Sequence, residues 1–266
     1  MAGTGATWRA AKAAAAWFSD WVYRRSDGVG VISPGMREAL VARGIQRSKI
    51  HVLYNWVPDG LVPPSRANAD HVRERTCTRF IYAGNLGEPQ GVQSIVQAAV
   101  NLRNRPDIHF TLVGSGVLTP SIQERISREG LTNIDLLGPQ SVEQVGGLIA
   151  EADIQLVTLS ASRLFEMTIP SKVQFSLAFG KPIVAAVSGD PAGVLRNSDA
   201  AFICAPGDPD ALTNTVLEAS SQSTDVLDQM GRRGREYFLA QFSEAVAGNA
   251  MADLLASLVP ASRRRS

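Results

Sequence analysis

The sequence predicts an α/β fold, a parallel sheet with helices on both faces, and three observations carry that prediction. From Arg79 onward, short apolar runs alternate with amphipathic stretches in a regular rhythm. The short runs are mainly apolar, the pattern of strands in a parallel sheet covered on both faces. Glycine and proline fall between the segments, where turns are needed. Right-handed crossovers then make a doubly wound, Rossmann-like domain, whose ligands bind beyond the carboxyl ends of the strands.

Taken in order, residues 8–23 read as an alanine-rich helix. Trp17 and Trp21 lie one turn apart with Phe18 beside them, so one face is aromatic. The plainer reading packs that face on a core; the other lays it on a membrane surface, with Arg24 and Arg25 near lipid phosphates. Residues 28–33 read as a strand. Pro34 opens a helix through Met36, Leu40 and Val41 that Gly44 closes, and 49–55 read as another strand. Residues 1–60 thus hold pieces of an α/β layer, with too few strands for a core of their own. Pro63, Pro64, Ser65 and Asn68 mark 61–78 as a linker. The regular domain occupies 79–236. Its strands are 80–83, 108–113, 134–137, 154–157, 182–187 and 201–204. Its helices are 92–102, 120–129, 142–150, a short one at Pro170, and 209–219. Residues 237–258 form a terminal helical pair marked by Phe238, Phe242, Val246, Met251, Leu254 and Leu255. The region to 266 ends in a solvated tail carrying Arg263, Arg264 and Arg265.

Composition narrows the function. A net charge of +1 over 266 residues argues against broad electrostatic binding to nucleic acid. Cys77 and Cys204 lack a ligand pattern, so neither a zinc site nor a disulfide framework is expected, and a reducing, cytoplasmic setting fits. No apolar run reaches the ~18 residues that span a bilayer. Lys12 interrupts the N-terminal apolar stretch, which argues against a signal peptide.

The segment 167–182 is the most informative. Pro170 suits the first position of a helix, Gly180 suits its left-handed stop, and Pro182 blocks a restart. Lys172 is the odd residue, because a cation in a first turn faces the positive end of the dipole at a penalty of ~0.3–1 kcal/mol. Either an anion sits there, held by free N–H groups and the ammonium together, or Lys172 is solvated and tolerates the penalty.

Three strand ends carry glycine turns: Gly84-Asn85-Leu86-Gly87, Gly114-Ser115-Gly116, and Leu137-Gly138-Pro139-Gln140. Each allows close backbone approach to a ligand, and the third could read a base edge, but each is also an ordinary tight turn. None is the dinucleotide fingerprint. Asp208-Pro209-Asp210 has a metal-site form, yet reads better as an N-cap with a dipole partner. Glu166 could touch a sugar hydroxyl or stand in water. His51, His71 and His109 have no catalytic partner at a recognisable spacing, and His109 reads as a packed core histidine.

The residues 80–91, Val113-Gly114-Ser115-Gly116, and the block running from Ile169-Pro170-Ser171-Lys172-Val173-Gln174 to Gly180-Lys181-Pro182-Ile183 resemble the donor half of glycosyltransferase family 4. These are retaining sugar-nucleotide transferases of the GT-B fold. The nearest resemblance is to the branch building O-antigen and capsule, including N-acetyl-fucosamine transferases. Residues 31–36 and 54–58 resemble the end of the acceptor half. The resemblance implies a nucleoside diphosphate sugar as substrate, UDP-linked, with no cofactor and no metal. It places donor contacts at Gly84, Asn85, Leu86, Gly87, Gly114, Gly116, Leu137, Gly138, Glu166, Pro170, Ser171, Lys172 and Gln174.

The sequence departs from the family pattern in places. Phe175 stands where a ribose-holding glutamate is common, and Glu166 is one place from the other glutamate. Asn85 and Gln90 stand where Arg and Lys often hold the diphosphate, which leaves Lys172 as the main cation and Arg163 as a second. The acceptor half of a GT-B enzyme would begin about 100–150 residues before the first strand seen here. The resemblance therefore implies an acceptor-half remnant, and a partner chain supplying that half as an alternative to a self-sufficient enzyme. A glycan or lipid-linked acceptor, and contact with the inner face of a membrane, belong to the same expectation. A sugar epimerase of similar shape would need carboxylate and histidine groups that the candidate cleft does not supply.

Overall fold

A computed structural model describes residues 4–61 and 76–258. The N-terminal layer comprises α1 (Thr4–Arg25), β1 (Val29–Val31), α2 (Pro34–Ala42) and β2 (Ile50–Val52). Its two strands pair in parallel, Val29 opposite Ile50. The main domain begins with β3 (Thr78–Ala83), α3 (Val92–Asn101), β4 (Ile108–Val113), α4 (Thr119–Glu129), β5 (Ile134–Leu137), α5 (Val142–Glu151) and β6 (Ile154–Thr158). It continues through α6 (Arg163–Glu166), α7 (Ser171–Ala178), β7 (Ile183–Ala186), α8 (Gly189–Ser198), β8 (Ala201–Cys204) and α9 (Pro209–Ser220). Two long helices, α10 (Thr224–Gln241) and α11 (Glu244–Leu258), end the described chain.

The six strands form one parallel sheet in the order β5-β4-β3-β6-β7-β8. The winding direction reverses between β3 and β6, so a crevice opens beyond their carboxyl ends, where such sheets take ligands. Strand alternation divides the residues of β3 between two layers. Phe80 and Tyr82 enter a core with Phe110, Leu112 and Ile154, and the Phe80 and Phe110 rings stack at 5.6 Å across registered positions. Ile81 and Ala83 face the other layer with Ile149. Val173 and Leu177 of α7 join Phe238 and Phe242 in a further apolar cluster.

Several contacts among the described residues join the N-terminal layer to the sheet domain. Ser33, fully buried, caps α2 by accepting the Met36 N–H at 3.1 Å and donates its own hydroxyl to the Met167 carbonyl. The Gly35 N–H donates to Asp190 Oδ2 at 2.6 Å. Phe242 is edge-on to Tyr54 at 5.1 Å and to Tyr237 at 5.9 Å, next to a bridge between Val57 and Ser243.

Strands 108–113, 134–137 and 201–204 form over the predicted residues, and Asp208 caps α9 by accepting from the Asp210 and Ala211 N–H groups. Other expectations need correction. Pro170 is the N-cap of α7, so the helix starts one residue later than predicted. Trp17, Phe18 and Trp21 are not packed on a core: Trp17 is 67% exposed, and Phe18 and Trp21 stack on one another at 6.0 Å. The small two-stranded sheet offers too little surface to cover them. His109 is not a core histidine, because its Nε2 pairs at 2.8 Å with Asp135 Oδ2 on the neighbouring strand and the ring is part-exposed. That pair lies toward the amino ends of the strands, away from the crevice. Helices α6, α8 and most of α10 are absent from the prediction. Gly189-Asp190-Pro191 reads as a turn, and Gly231 and Gly234 weaken the helical pattern of α10. Gly231 serves close packing there, since a Cβ would stand 2.2 Å from the Gly180 carbonyl oxygen. Pro63, Pro64, Ser65, Asn68, His71 and the tail arginines lie outside the described residues.

Candidate functional site

The first two glycine turns extend the β3–β4 ladder past the strand ends. The Gly84 N–H donates to Val113 O at 2.8 Å, Leu86 N–H to Ser115 O at 2.9 Å, and Leu118 N–H to Leu86 O at 3.0 Å. Their glycines are demanded by this contact of turn on turn. A Cβ at Gly114, whose φ is 131°, would stand 2.0 Å from Gly84 O, and one at Gly116 would stand 2.4 Å from Leu86 O. Leu86 is fully buried and anchors the turn in the core. The Asn85 side chain is wedged between the turns, its Nδ2 3.1 Å from a Cβ at Gly87 and its Oδ1 2.6 Å from one at Gly116.

Gly84 answers a different demand. Its φ is 143°, and a Cβ there would stand 2.6 Å from Lys172 Cε and 2.9 Å from Lys172 Nζ. The lysine chain from α7 therefore crosses the end of β3 over the bare glycine backbone. Its ammonium donates to the Tyr82 hydroxyl and sits 3.9 Å from the Tyr82 ring centroid, a cation–π distance. The Tyr82 hydroxyl in turn donates to the Asn85 carbonyl at 2.7 Å. Burial pulls the Lys172 pKa down to about 7 and pushes that of Tyr82 up. No side chain caps α7, and its first turn carries no acidic residue; the Val173 N–H donates to Pro170 O at 3.0 Å, which leaves the Ser171 and Lys172 amides to face an anion.

Gly84, Ser171 and Lys172 line a cavity of about 370 Å³ beside this helix end. Its walls are mainly apolar, from Ile81, Val145, Ile149 and Phe175, with Gln140 and Gln155 among the few polar members. Of the residues named from the sequence, these three meet at the cavity. Gly114, Gly116, Leu86 and Gly87 support them from the turn. Pro170 sets the start of α7. Leu137 and Gly138 lie outside the lining, while Gln140, two residues further on, belongs to it. Glu166 is exposed on α6, its carboxylate 3.4 Å from the Ser188 hydroxyl, and Arg163 is exposed on the same short helix. Gln174 is buried on α7, and neither of its amide atoms has a partner among the described residues. Sequence reasoning missed Tyr82 and Gln155 and named Gln140 only as the end of the third glycine turn. Their signal is topological, since all three lie in or just after strands that converge on one crevice.

The pattern of the family described as "Glycosyl transferases group 1" matches residues 77–222, more than half of the chain. The chain belongs to the group 1 glycosyltransferases. A "Glycosyl transferase 4-like domain" pattern matches residues 2–56 of this group 1 member. It is 26% identical over 234 residues to WbjE of Pseudomonas aeruginosa, a glycosyltransferase by name, covering 85% of this chain and 57% of that one. It is 27% identical over 188 residues to WcaI of Escherichia coli, named for colanic acid biosynthesis, covering 68% of this chain and 45% of that one. The chain thus spans about half the length of these curated relatives. Among solved structures, Anabaena HepE in complex with UDP and glucose superposes with a TM-score of 0.74 at 18% identity, over 91% of this chain and 66% of that one. The fold is that of the GT-B glycosyltransferases.

Proposed function

We propose that this chain forms the donor side of a retaining glycosyltransferase and that the cavity beside α7 receives a nucleoside diphosphate sugar. One observation carries the reading: the Lys172 side chain runs from the uncapped end of α7 across Gly84, so its ammonium lies at the end of β3, at the switch point of the sheet. Transfer breaks the bond between the anomeric carbon and the diphosphate oxygen and forms one to an acceptor hydroxyl, so negative charge grows on the departing diphosphate. Lys172, the Ser171 and Lys172 amides at the start of α7 and the Asn85 and Gly87 amides supply the opposing potential, and bare Gly84 lets the diphosphate approach the backbone. Ser171 contributes at the helix end; the Leu137–Gly138 backbone, outside the cavity lining, is assigned to the base, and Glu166 and Gln174, also outside it, to donor hydroxyls. No resident metal enters this scheme, and UDP affinity unchanged by EDTA is its check. The HepE complex supports uracil as the base, and the relatives' names support a polysaccharide acceptor, glycan or lipid-linked. The sugar is assigned to the hexose or N-acetylhexosamine class, with N-acetyl-fucosamine as the first candidate. Calorimetry tests the seat: Lys172→Ala weakens UDP binding by ~1–3 kcal/mol, as expected for a charged hydrogen bond, and unchanged affinity removes Lys172 from it. A thermal-shift panel of nucleoside diphosphates and their sugars tests the base.

A second reading has this chain supply the donor half to a separate acceptor-side chain at the inner face of a membrane. The exposed aromatic face of α1 favours it. Transferase activity that appears only when an upstream protein is co-expressed distinguishes it from the first.

A further inference from the structure

We propose that Tyr82 is a positioning residue of the anion seat, its hydroxyl tying the Lys172 ammonium to the backbone of the first glycine turn; the proposal rests on the donor-site reading above. Tyr82 and Lys172 come from different layers. The tyrosine ring belongs to the core with Phe80 and Phe110, whereas Lys172 lines the cavity on the side of Ile81 and Ala83. They meet because Gly84 leaves the end of β3 bare. A phenol has one proton, and this one goes to the Asn85 carbonyl at 2.7 Å. Toward Lys172 the hydroxyl can therefore only accept, so the ammonium must donate. The ring face, 3.9 Å away, adds an attraction that only the charged lysine feels.

One fully buried side chain thus holds two parts of the seat: the cation and the turn that carries the Asn85 and Gly87 amides. It also opposes the burial that favours a neutral Lys172. Among the described residues no other ionisable side chain lines the cavity: its polar walls are Gln140 in the loop before α5, Gln155 on β6, and Ser171 and Ser176 on α7. The Tyr82 hydroxyl and ring are accordingly the groups that set the charge state of Lys172 in the absence of an anion. A tyrosine serving only as core filling would not influence that titration.

The chain has four lysines, Lys12, Lys49, Lys172 and Lys181, so ¹³Cε labelling gives a short spectrum in which Lys172→Arg assigns the signal. In the full chain without ligand, Lys172 titrates near neutrality. In Tyr82→Phe, which keeps the ring, its midpoint moves to lower pH, and UDP affinity at pH 7 drops roughly tenfold, within the range for a lost hydrogen bond to a charged group. An identical Lys172 midpoint in both proteins overturns the proposal. Should the Phe variant fail to fold, 3-fluorotyrosine in the wild-type sequence replaces it. Its ¹⁹F signal at position 82 must track the Lys172 midpoint, and a flat signal overturns the proposal equally. Wild-type protein that shows the shifted lysine yet binds no UDP refutes the donor reading instead. Intact UDP binding with an unmoved lysine refutes only the role of Tyr82.

Discussion

The sheet domain and the N-terminal layer are built from similar sequence, yet they bury it very differently. In the sheet domain, apolar strands have neighbours on both sides or a covering helix, and Phe80, Tyr82, Phe110 and Ile154 are fully buried. In the N-terminal layer, two three-residue strands carry the whole sheet, and α1 leaves Trp8, Trp17 and Phe18 more than half exposed. An aromatic face in a sequence therefore specifies a helix but not its burial, which depends on how much opposing surface the fold provides. The site follows the same division. The candidate site lies at the switch point of the large sheet, and the small layer meets the elements behind it through the contacts of Ser33 and Gly35 with Met167 and Asp190, while Leu61 lines the cavity itself.

Three substitutions break or sharpen this contrast. The largest effect belongs to Phe242, which closes the joint between the regions against Tyr54 and Tyr237. Phe242→Ala should cost about 3–5 kcal/mol in urea denaturation, the range for emptying a full aromatic site. A loss below about 1 kcal/mol would mean that the regions stand independently. Ser33→Ala removes the α2 cap and the tie to Met167, with an expected loss of about 1–2 kcal/mol. Hydrogen exchange should then rise in 29–52 and stay unchanged in 108–137; equal loosening in both would erase the contrast. The smallest effect belongs to α1. Trp17→Ala should leave unfolding within about 0.5 kcal/mol of wild type, as for an ordinary surface position. A larger loss, or one that depends on protein concentration, would reveal that another surface covers this face.

Much of the fold was legible because burial on both faces leaves an unbroken apolar run. Strands β6 and β7, buried at every residue, form within one residue of the predicted bounds, and 108–113 and 134–137 emerge residue for residue although His109 and Asp135 interrupt their apolar runs. Helix α8 was hidden because Gly189-Asp190-Pro191 carries the marks of a turn, and α10 because Gly231 and Gly234 yield helical preference to close packing. At the site, Lys172 was visible as a cation misplaced in a first turn, and Gly84 as a glycine at a strand end. Gly114 and Gly116 looked like ligand contacts in the same way, but the neighbouring turn occupies the space their side chains would need.

By itself the sequence determined the α/β class, the alternation that makes the sheet parallel, and the singular chemistry of the 170–182 segment. Those properties are local, set by periodicity, capping and the sign of a charge beside a helix dipole. Only the tertiary structure decided that Lys172 crosses the bare end of β3 to meet Tyr82, 90 residues earlier in the chain. It likewise decided that His109 pairs with Asp135 away from the crevice and that the α1 tryptophans stay exposed. The reason is that strand order, and hence which ends converge on one crevice, comes from packing whole elements together, and no single segment records it.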